Sequence, residues 1–446
     1  MNILVIGGCG YIGTKLVDFL KDVNVLDSEI DHLKKSNSVN YITAKYQDSK
    51  FEDTIDTNQL TNDTFIDYFD DSSDETLNDY KIIDCCRVCN TPTKSLLDLG
   101  LQPLANSYTR FDYKLDYNPV HVQVEDKYPL HLQYCPICFH VQLNCIVNAT
   151  KLFKKSYNNN NNHKNNTLQN NFNNILIGSS LQNSNKVVTV GIDFFNKDVV
   201  EKLKNTYGKF DIITSSYIDT NTFLNFCKIL MKPESTLYIQ TNMIYKKEFN
   251  TVYHENLDYF NSNSMNLLCN NNGLYLNNIT ENAFEIGKTK AKDLNSIQVI
   301  VKEYEDGLYD ERIYEKYNLL YLQYCNRFQN ELLELKLNNY EVIGFGSTPN
   351  SNTLFNFVGI TSLLIQFIID ENIIKQNLHT PGTNIFITDT TCLKTNLTRN
   401  TVILVIEWEN YNIIKNKIKE KLVEYNVKYA VRLLNMKSLK YQWINK

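Results

Sequence analysis

The sequence predicts a multi-domain α/β fold, with Rossmann-like doubly wound domains and a small four-cysteine metal-binding module. Three observations lead to this prediction. Apolar strand segments alternate with helical segments at the spacing typical of doubly wound sheets. Glycine-rich turns follow several of these strands, as in nucleotide-binding α/β proteins. Two Cys-x-x-Cys pairs lie between the first glycine-rich turn and the later α/β segments.

Length and composition narrow the class of protein. The chain has 446 residues, of which 43% are hydrophobic and 21% charged, enough for two or three separate cores. A net charge of −5 without a dominant basic face argues against nucleic-acid binding. No apolar run reaches the roughly 18 residues of a membrane span, and the start MNILVIGGCG lacks the features of a signal peptide.

Cysteine usage indicates the compartment. Eleven cysteines in a chain of this length, four of them in Cys-x-x-Cys pairs, are typical of metal binding in a reducing environment rather than of a disulfide framework. We therefore expect a cytoplasmic protein that binds neither nucleic acid nor membranes. The sequence does not indicate an oligomeric state.

The first segment, residues 1–27, has the pattern of a dinucleotide-binding unit. An apolar strand leads into Gly7, Gly10 and Gly13, and a helix and a second strand follow. Gly7 permits the tight turn, Gly10 lets a phosphate approach the backbone, and Gly13 lets the helix pack closely on the strand. Asp27, at the end of the second strand, is placed to bind ribose hydroxyls.

This opening resembles extended short-chain dehydrogenase/reductases, the NAD-dependent sugar-nucleotide epimerases and dehydratases. The resemblance ends near residue 50, and a different module begins by residue 84. Such enzymes need a complete doubly wound sheet and a Tyr-x-x-x-Lys pair on a later helix, whereas the pairs of that spacing here lie in other contexts. We interpret the segment as a truncated NAD-binding unit, with NAD the less favoured cofactor.

The two Cys-x-x-Cys pairs predict a structural zinc site. Each pair offers two thiolates at the spacing that tetrahedral Zn²⁺ needs, and four thiolates leave no open position for water. The predicted ligands are Cys86, Cys89, Cys135 and Cys138. Cys85 is an adjacent thiol that could compete for the metal. His131 and His140 flank the second pair and are expected at the surface, because four cysteines need no further ligand.

The same region resembles the zinc-binding N-terminal domain of S-adenosylmethionine (SAM)-dependent sugar C-methyltransferases, through CRVC, DLGLQPLANSY (98–108) and YPLHLQYCPICFHVQL (128–143). Those enzymes methylate a carbon of nucleotide-linked deoxy-ketosugars. The resemblance covers residues 84–446. It implies SAM and structural zinc as cofactors, a nucleotide-linked sugar as ligand, and SAM-binding and C-terminal Rossmann-like domains after the zinc module.

This resemblance divides the chain into four segments. They are residues 1–80, a truncated NAD-binding Rossmann-like segment with an acidic linker; 81–150, the zinc-binding module; 151–292, the SAM-methyltransferase-like Rossmann domain; and 293–446, the C-terminal Rossmann-like domain.

The cofactor loop of the family is only partly retained. The string NNILIGSSLQNSNKVVTVGID (173–193) stands at the place of the SAM loop and the next strand. Gly178 remains from the family's glycine turn, while its second glycine and its acids are replaced by Ser, Gln and Asn. Asp193 stands where the resemblance implies a carboxylate that holds the adenosine ribose diol.

The stretch VYHENLDYF (252–260) resembles the family's Tyr-His-Glu-His motif. In that chemistry a base removes the proton beside the sugar ketone, and the enolate attacks the SAM methyl group. The family's base, the second histidine, is here Asn256, an amide without useful basicity. Tyr253, His254 and Glu255 are the candidate catalytic residues. His254 is not expected to replace the base, because neighbouring side chains of an extended segment point to opposite faces.

The C-terminal part contains a second glycine turn. YEVIGFGSTPNSNTLFNFVGI (340–360) reads as strand, turn and helix, and Gly344, Gly346, Asn352 and Thr353 match the corresponding segment of the family. Glycines before a helix N-terminus are suited to hold a phosphate, here that of the sugar nucleotide, so these four are the candidate substrate-binding residues. A turn that needs glycine only for packing is an equal alternative.

Between the two α/β parts, residues 318–337 have the apolar spacing of a long amphipathic helix. Its Cys325 is expected to be a core thiol. We predict that this helix joins the two α/β domains.

Three hypotheses about function remain. The first is a C-methyltransferase of nucleotide-linked deoxy-ketosugars whose catalysis is altered or lost, so that its status as an enzyme is uncertain. The second is a non-catalytic protein that keeps the fold and binds a sugar nucleotide or acts as a scaffold. The third is an NAD-dependent sugar-nucleotide epimerase- or dehydratase-like protein. The first two are nearly equal.

Overall fold

A computed structural model describes residues 2–6, 23–27, 39–43, 79–110, 125–152, 186–190, 197–215, 221–239, 241, 252–280, 283–290 and 310–444. These residues form a mixed α/β structure with several sheets. The predicted fold class is confirmed. None of the described helices combines the length and the apolar character that crossing a membrane requires.

The strands are given in chain order. They are β1 (Asn2–Ile6), β2 (Val23–Asp27), β3 (Val39–Thr43), β4 (Tyr80–Ile82), β5 (Lys94–Pro103), β6 (Lys127–Tyr134), β7 (Val141–Leu143), β8 (Cys145–Val147), β9 (Lys186–Val190), β10 (Phe210–Ser215), β11 (Met231–Ile239), β12 (Asp258–Tyr259), β13 (Tyr275–Thr280), β14 (Ala283–Gly287), β15 (Glu341–Phe345), β16 (Ile368–Ile369), β17 (Ile387–Thr388), β18 (Thr401–Val405), β19 (Val431–Asn435) and β20 (Tyr441–Ile444).

The helices are likewise numbered along the chain. They are α1 (Ala149–Leu152), α2 (Lys197–Tyr207), α3 (Asn221–Leu230), α4 (Ser262–Asn271), α5 (Glu311–Leu337), α6 (Pro349–Val358), α7 (Leu393–Asn396) and α8 (Tyr411–Glu424), with 3-10 helices at Thr390–Cys392 and Trp408–Asn410.

The first large sheet has eight strands in the order β13-β14-β11-β10-β1-β9-β2-β3. The strands from β11 to β3 are parallel, and β14 and β13 add antiparallel pairs at one edge. Leu4 of β1 is fully buried in the core that the helices α2 and α3 form with this sheet. Strands of the predicted segments 1–80 and 151–292 thus share one sheet, while the predicted domain boundaries themselves stay a prediction.

The second large sheet, β17-β16-β15-β18-β19-β20, forms the C-terminal part. Its two faces carry separate cores, as alternation along a strand requires. Val342 packs on the side of α5 and α6, with Phe328 and Phe355, whereas Ile343 packs on the side of α8, with Ile418. Helices on both faces of a mostly parallel sheet are the predicted doubly wound arrangement.

The zinc-binding module contains a four-stranded antiparallel sheet, β12-β7-β6-β5, and the pair β4-β8. Strand β12, which follows the VYHEN stretch by two residues, pairs with β7 with Asp258 opposite Gln142. Tyr314 of α5 stacks on Tyr134 of β6 with ring centroids 4.5 Å apart. The module is therefore packed against both the VYHEN segment and the long helix.

The long helix α5 begins earlier than the prediction, at Glu311, because the Asp310 side chain caps it by accepting a hydrogen bond from the Arg312 amide at 3.0 Å. It ends at Leu337 as predicted. Cys325 is 2% exposed in the core, so its prediction as a core thiol is confirmed.

Candidate functional site

The four predicted zinc ligands come together. Their sulfur atoms all lie within 4.8 Å of one another, with 3.6 Å between Cys86 and Cys138 and 3.4 Å between Cys89 and Cys135. Zn–S bonds of about 2.3 Å in a tetrahedron place the sulfurs about 3.8 Å apart, so the cluster has the size that zinc requires. The hydrogen bond from Cys138 lowers the pKa of the Cys86 thiol, which favours the thiolate that a metal binds.

Both knuckles fold in the same way. The amide of Val88 points at the Cys86 sulfur and that of Ile137 at the Cys135 sulfur, each at 3.4 Å. Each turn closes with a residue in the left-handed region, Asn90 at φ 60° and Phe139 at φ 57°. Because the two turns have the same conformation, their four sulfur atoms are directed to one point between the two knuckles.

The residues beside the knuckles differ in their roles. Cys85 lies outside the cluster and makes a backbone bridge with Pro92. His131 hydrogen-bonds Ser95 at 2.8 Å and is partly exposed. His140, in contrast, is 0% exposed, so the expectation of a surface residue is wrong for it. The reason is a buried carboxylate that the local sequence does not reveal.

That carboxylate belongs to Asp258. Its Oδ1 atom lies 2.7 Å from Nε2 of His140 and accepts a hydrogen bond from Nε of Arg87 at 3.0 Å. Burial raises the pKa of Asp258, but Arg87 and His140 outweigh burial and hold it below its usual value. Arg87 also donates to the Leu143 carbonyl oxygen at 2.9 Å. This network, Arg87–Asp258–His140, ties the first zinc knuckle to the strand after the VYHEN stretch.

The VYHEN residues form a turn rather than an extended segment. The Asn256 amide donates to the Tyr253 carbonyl oxygen at 2.9 Å. A hydrogen bond from the Asn256 side chain also lowers the pKa of the Tyr253 phenol, but burial and the charge of Glu255 raise it more, and the net pKa is above normal. The charge of Glu409, from the C-terminal part, acts in the same direction. Tyr253 and Asn256 therefore meet at this turn, with the charges of Glu255 and Glu409 acting on the Tyr253 phenol.

One carboxylate oxygen of Glu255 accepts a hydrogen bond, and the other has no hydrogen-bond partner among the described residues. Its Oε1 atom accepts a hydrogen bond from Asn106 of the zinc-binding module at 3.0 Å, and its buried Oε2 has no partner among those residues. Burial raises the pKa of the carboxyl group above its usual value. A carboxyl group with an unused oxygen and a raised pKa is suited to hold or move a proton.

His254 lies apart from this polar site. It is fully buried, its Nε2 atom is 3.3 Å from the Tyr128 carbonyl oxygen, and its ring meets the Tyr128 ring edge-on at 6.0 Å. Burial lowers the pKa of the imidazole to about 4, so it is neutral near pH 7. The structure brings Tyr253 and Glu255 together but does not bring His254 to them.

The C-terminal glycine turn is tightly packed. A Cβ atom on Gly344 would lie 2.7 Å from Ile406, and Gly346, at φ 87°, would place one 3.0 Å from the Glu407 Cβ. Packing and backbone conformation therefore account for both glycines. Glu407 also puts a carboxylate beside the turn, which disfavours a bound phosphate. The predicted phosphate site stays a prediction.

The start of helix α6 is already capped. Thr348 and Ser351 form a reciprocal pair in which the Ser351 amide donates to the Thr348 hydroxyl at 3.2 Å. Asn352 and Thr353 are buried, and Asn352 donates to the Ala105 carbonyl oxygen at 2.8 Å. Asn352 thus links the C-terminal part to the zinc-binding module.

Lys375 lies at the centre of the contact between the C-terminal part and the zinc-binding module. Its side chain is 1% exposed. The Nζ atom donates to the Ser347 carbonyl oxygen at 2.6 Å and lies 3.7 Å from Asp370 and 5.2 Å from the Tyr108 ring centroid. Burial alone lowers the pKa of Lys375, but Tyr108 and Asp370 outweigh it, so the pKa lies above its usual value. A buried ammonium group therefore holds the glycine turn, the Asp370 segment and the zinc-binding module together.

We expect Lys375→Met to lower the free energy of unfolding by about 3 kcal/mol, because it leaves the buried Asp370 carboxylate and the Ser347 carbonyl without their cation. Equilibrium urea unfolding measures this effect. Lys417→Met is the matched control, since Lys417 forms a more exposed ion pair with Glu371, and it should cost about 1 kcal/mol or less. Equal losses in the two variants would contradict the role of Lys375.

The remaining predicted cofactor residues are not placed by the structure. Gly7, Gly10, Gly13, Gly178 and Asp193 lie outside the described residues. Asp27 is placed only by its backbone, at the end of β2.

Two family models match the chain. The one described as "C-methyltransferase C-terminal domain" matches residues 283–433, and the one described as "Putative zinc binding domain" matches residues 86–153. The two matches support a relation of these regions to C-methyltransferases. A search of curated proteins finds no match. The first range begins at β14 and ends within β19, and the second contains all four clustered cysteines.

The two matches support two cofactors. Methyltransferase domains imply SAM, and the zinc-binding domain with its four cysteines implies zinc. NAD has no such support, since neither match includes residues 1–85.

Four residues of the C-methyltransferase-like site were missed by sequence reasoning. Arg87 lies within the first knuckle and His140 beside the second, where the cysteines alone define the sequence motif. Asn106 donates a hydrogen bond to Glu255 from a distant part of the chain, and the charge of Glu409 acts on Tyr253. Among these four residues, only Arg87 could have been identified from the sequence, by its position inside the first Cys-x-x-Cys pair. An arginine buried at such a position needs a carboxylate partner.

Proposed function

We propose that this C-methyltransferase-like protein binds a nucleotide-linked deoxy-ketosugar beside Tyr253 and Glu255, and that its methyl transfer is altered or lost. The observation that supports the proposal is the pairing of Asn256 with Tyr253 at the position where the family has its base. An amide at this point keeps the polar contacts of the turn but cannot accept the substrate proton.

In this proposal, Tyr253 and Glu255 have different chemical roles. Tyr253, with its raised pKa, stays protonated near pH 7 and can donate a hydrogen bond to a sugar oxyanion. Glu255, with a free oxygen and a raised pKa, is the remaining group able to accept a proton there. SAM, when bound, supplies the electrophilic methyl group.

A non-catalytic sugar-nucleotide-binding protein is the second candidate, and the same Asn256 favours it. Calorimetric titration with S-adenosylhomocysteine separates the two. Binding in the micromolar range supports a methyltransferase with altered catalysis, whereas an absence of binding together with retained sugar-nucleotide binding supports the second candidate.

Asn256→His should restore the base. We expect transfer of labelled methyl from SAM to a thymidine-diphosphate deoxy-ketosugar to rise about 100-fold or more over the unsubstituted protein, the usual contribution of a positioned general base. Mass spectrometry of the sugar nucleotide measures the product.

Asn256→Gln is the control, because it keeps an amide and should not gain activity. If Asn256→His binds S-adenosylhomocysteine and sugar nucleotide but transfers no more methyl than Asn256→Gln, the proposed reaction is wrong.

A further inference from the structure

The long helix α5 has a second apolar face, which points away from the core. Its buried side chains, which include Cys325, Phe328 and Leu332, lie on one side of the helix. Leu319 and Leu337 lie on the opposite side, 57% and 80% exposed. A helix that packs on one core needs apolar residues on one face only. This second apolar face therefore indicates an interaction surface.

The exposed residues of this face form a straight stripe. Leu319 and Leu337 are 18 residues apart, which is five turns at about 3.6 residues per turn, so both lie on one line along the helix. Leu322 and Leu333 fall within roughly 60° of that line. The four leucines together expose on the order of 400 Å² of apolar surface, a patch of the size that often marks a contact site. The outward stripe consists of six exposed residues, Leu319, Leu322, Asn326, Asn330, Leu333 and Leu337.

The outward stripe reads almost the same in both directions from residue 328. Its outer leucines, Leu319 and Leu337, lie nine residues before and after that position, and its inner leucines lie six before and five after it. Asn326 and Asn330, two residues on either side, lie within about 20° of the same line. A second copy of α5 turned end over end would therefore present leucine to leucine and amide to amide.

We propose that the protein forms a twofold-symmetric dimer in which α5 packs antiparallel against α5 of a second copy. In this register Leu319 contacts Leu337 of the partner subunit, and the inner leucines meet in the same way. Asn326 lies against Asn330 of the partner subunit, where a polar contact fixes the register at some cost in stability. The contact is independent of the methyl-transfer chemistry.

Charges beside the outward stripe are complementary in the same register. Arg327 and Glu334 are exposed on one side of the stripe, and neither has an ion-pair partner among the described residues. In the antiparallel pair, Arg327 is offset from Glu334 of the partner subunit by about 7.5 Å along the helix axis. The two side chains lean towards each other, because helical side chains point towards their own N-terminus. A parallel pair would instead place Arg327 beside Arg327 of the partner subunit, a repulsive contact.

Strand β20 widens the surface beside the C-terminal half of α5. The exposed Tyr441 donates a hydrogen bond to Glu331 of α5. The exposed Trp443 is held next to it by the Arg432 guanidinium, which lies 4.6 Å from the Trp443 ring centroid. With the outward stripe, the exposed Leu320 and the charged pair beside it, these rings bring the surface to the order of 800 Å² per protomer, the size that a stable dimer needs.

Sedimentation velocity of the full chain tests the dimer. At about 10 µM the unsubstituted protein should sediment with twice the mass of one chain. Leu319→Glu/Leu337→Glu should raise the dissociation constant about 100-fold or more, because it places carboxylates in the apolar contact. Val423→Glu is the matched control and should leave the dimer intact, because Val423 is 74% exposed on α8, on the opposite face of the C-terminal sheet.

Two results overturn the proposal. One is a monomeric unsubstituted protein, which leaves the outward stripe to a different partner. The other is a dimer that Leu319→Glu/Leu337→Glu does not weaken more than Val423→Glu does.

Charge reversal tests the antiparallel register, at exposed positions where substitution should not impair folding. Arg327→Glu should weaken the dimer about tenfold, because it sets like charges against each other. Arg327→Glu/Glu334→Arg restores the opposite charges and should bring the dissociation constant back to within about threefold of the original. If the double variant stays as weak as Arg327→Glu, the antiparallel arrangement is wrong.

Discussion

Cys135→Ser is expected to lose the zinc ion and to lower Tm by more than about 10 °C, the largest effect that we predict for a single substitution. The Cys135 side chain is fully buried and its sulfur lies 3.4 Å from that of Cys89. With three thiolates the site cannot close the tetrahedron, and binding that supplies about 10–16 kcal/mol in small zinc modules is weakened. Metal content by mass spectrometry and thermal unfolding together measure the effect.

Cys85→Ser is the matched control. Cys85 is a thiol next to Cys86 but outside the cluster, so this variant should keep one zinc per chain and nearly the same Tm. A chelator should reproduce the effect of Cys135→Ser in the unsubstituted protein. One zinc per chain in purified Cys135→Ser would contradict the four-thiolate site.

Asp258→Ala is expected to lower the free energy of unfolding by about 3–5 kcal/mol, because it leaves a buried guanidinium group without its carboxylate. The Arg87 and Asp258 side chains are 5% and 6% exposed, so water cannot replace the lost partner. Since Asp258 lies two residues after the VYHEN stretch, the same substitution should also weaken sugar-nucleotide binding. Urea unfolding and calorimetric titration measure the two effects separately.

The control uses a surface ion pair of the same type. Asp211 pairs with Lys232 where both side chains are about one third exposed, and Asp211→Ala should cost about 1 kcal/mol or less. Comparable losses for Asp211→Ala and Asp258→Ala would show that the Arg87–Asp258–His140 network does not stabilise the site.

The sequence predicted the features that depend on local spacing. Two Cys-x-x-Cys pairs were enough for the zinc site, because the geometry of each knuckle is set within a few residues. Apolar periodicity predicted α5 and Cys325 in its core for the same reason. The strand β15 and the helix α6 were predicted from an apolar run and the glycine turn that follows it.

What the sequence did not reveal depends on contacts between distant residues. Asp258 is 171 residues from Arg87, so nothing near His140 indicated that it would be buried. The Tyr253–Asn256 turn was read as extended because its conformation depends on a hydrogen bond across the turn and on the pairing of β12 with the zinc-binding module. The place of β1 in the sheet was missed because pattern reveals that a strand exists but not which strands are its neighbours.

The pairing of β12 with β7 also has a mechanical consequence. The Tyr253–Asn256 turn ends two residues before β12, so it is anchored to the hairpins that carry the four cysteine ligands. Distortion of those hairpins on loss of the metal would therefore displace the turn as well.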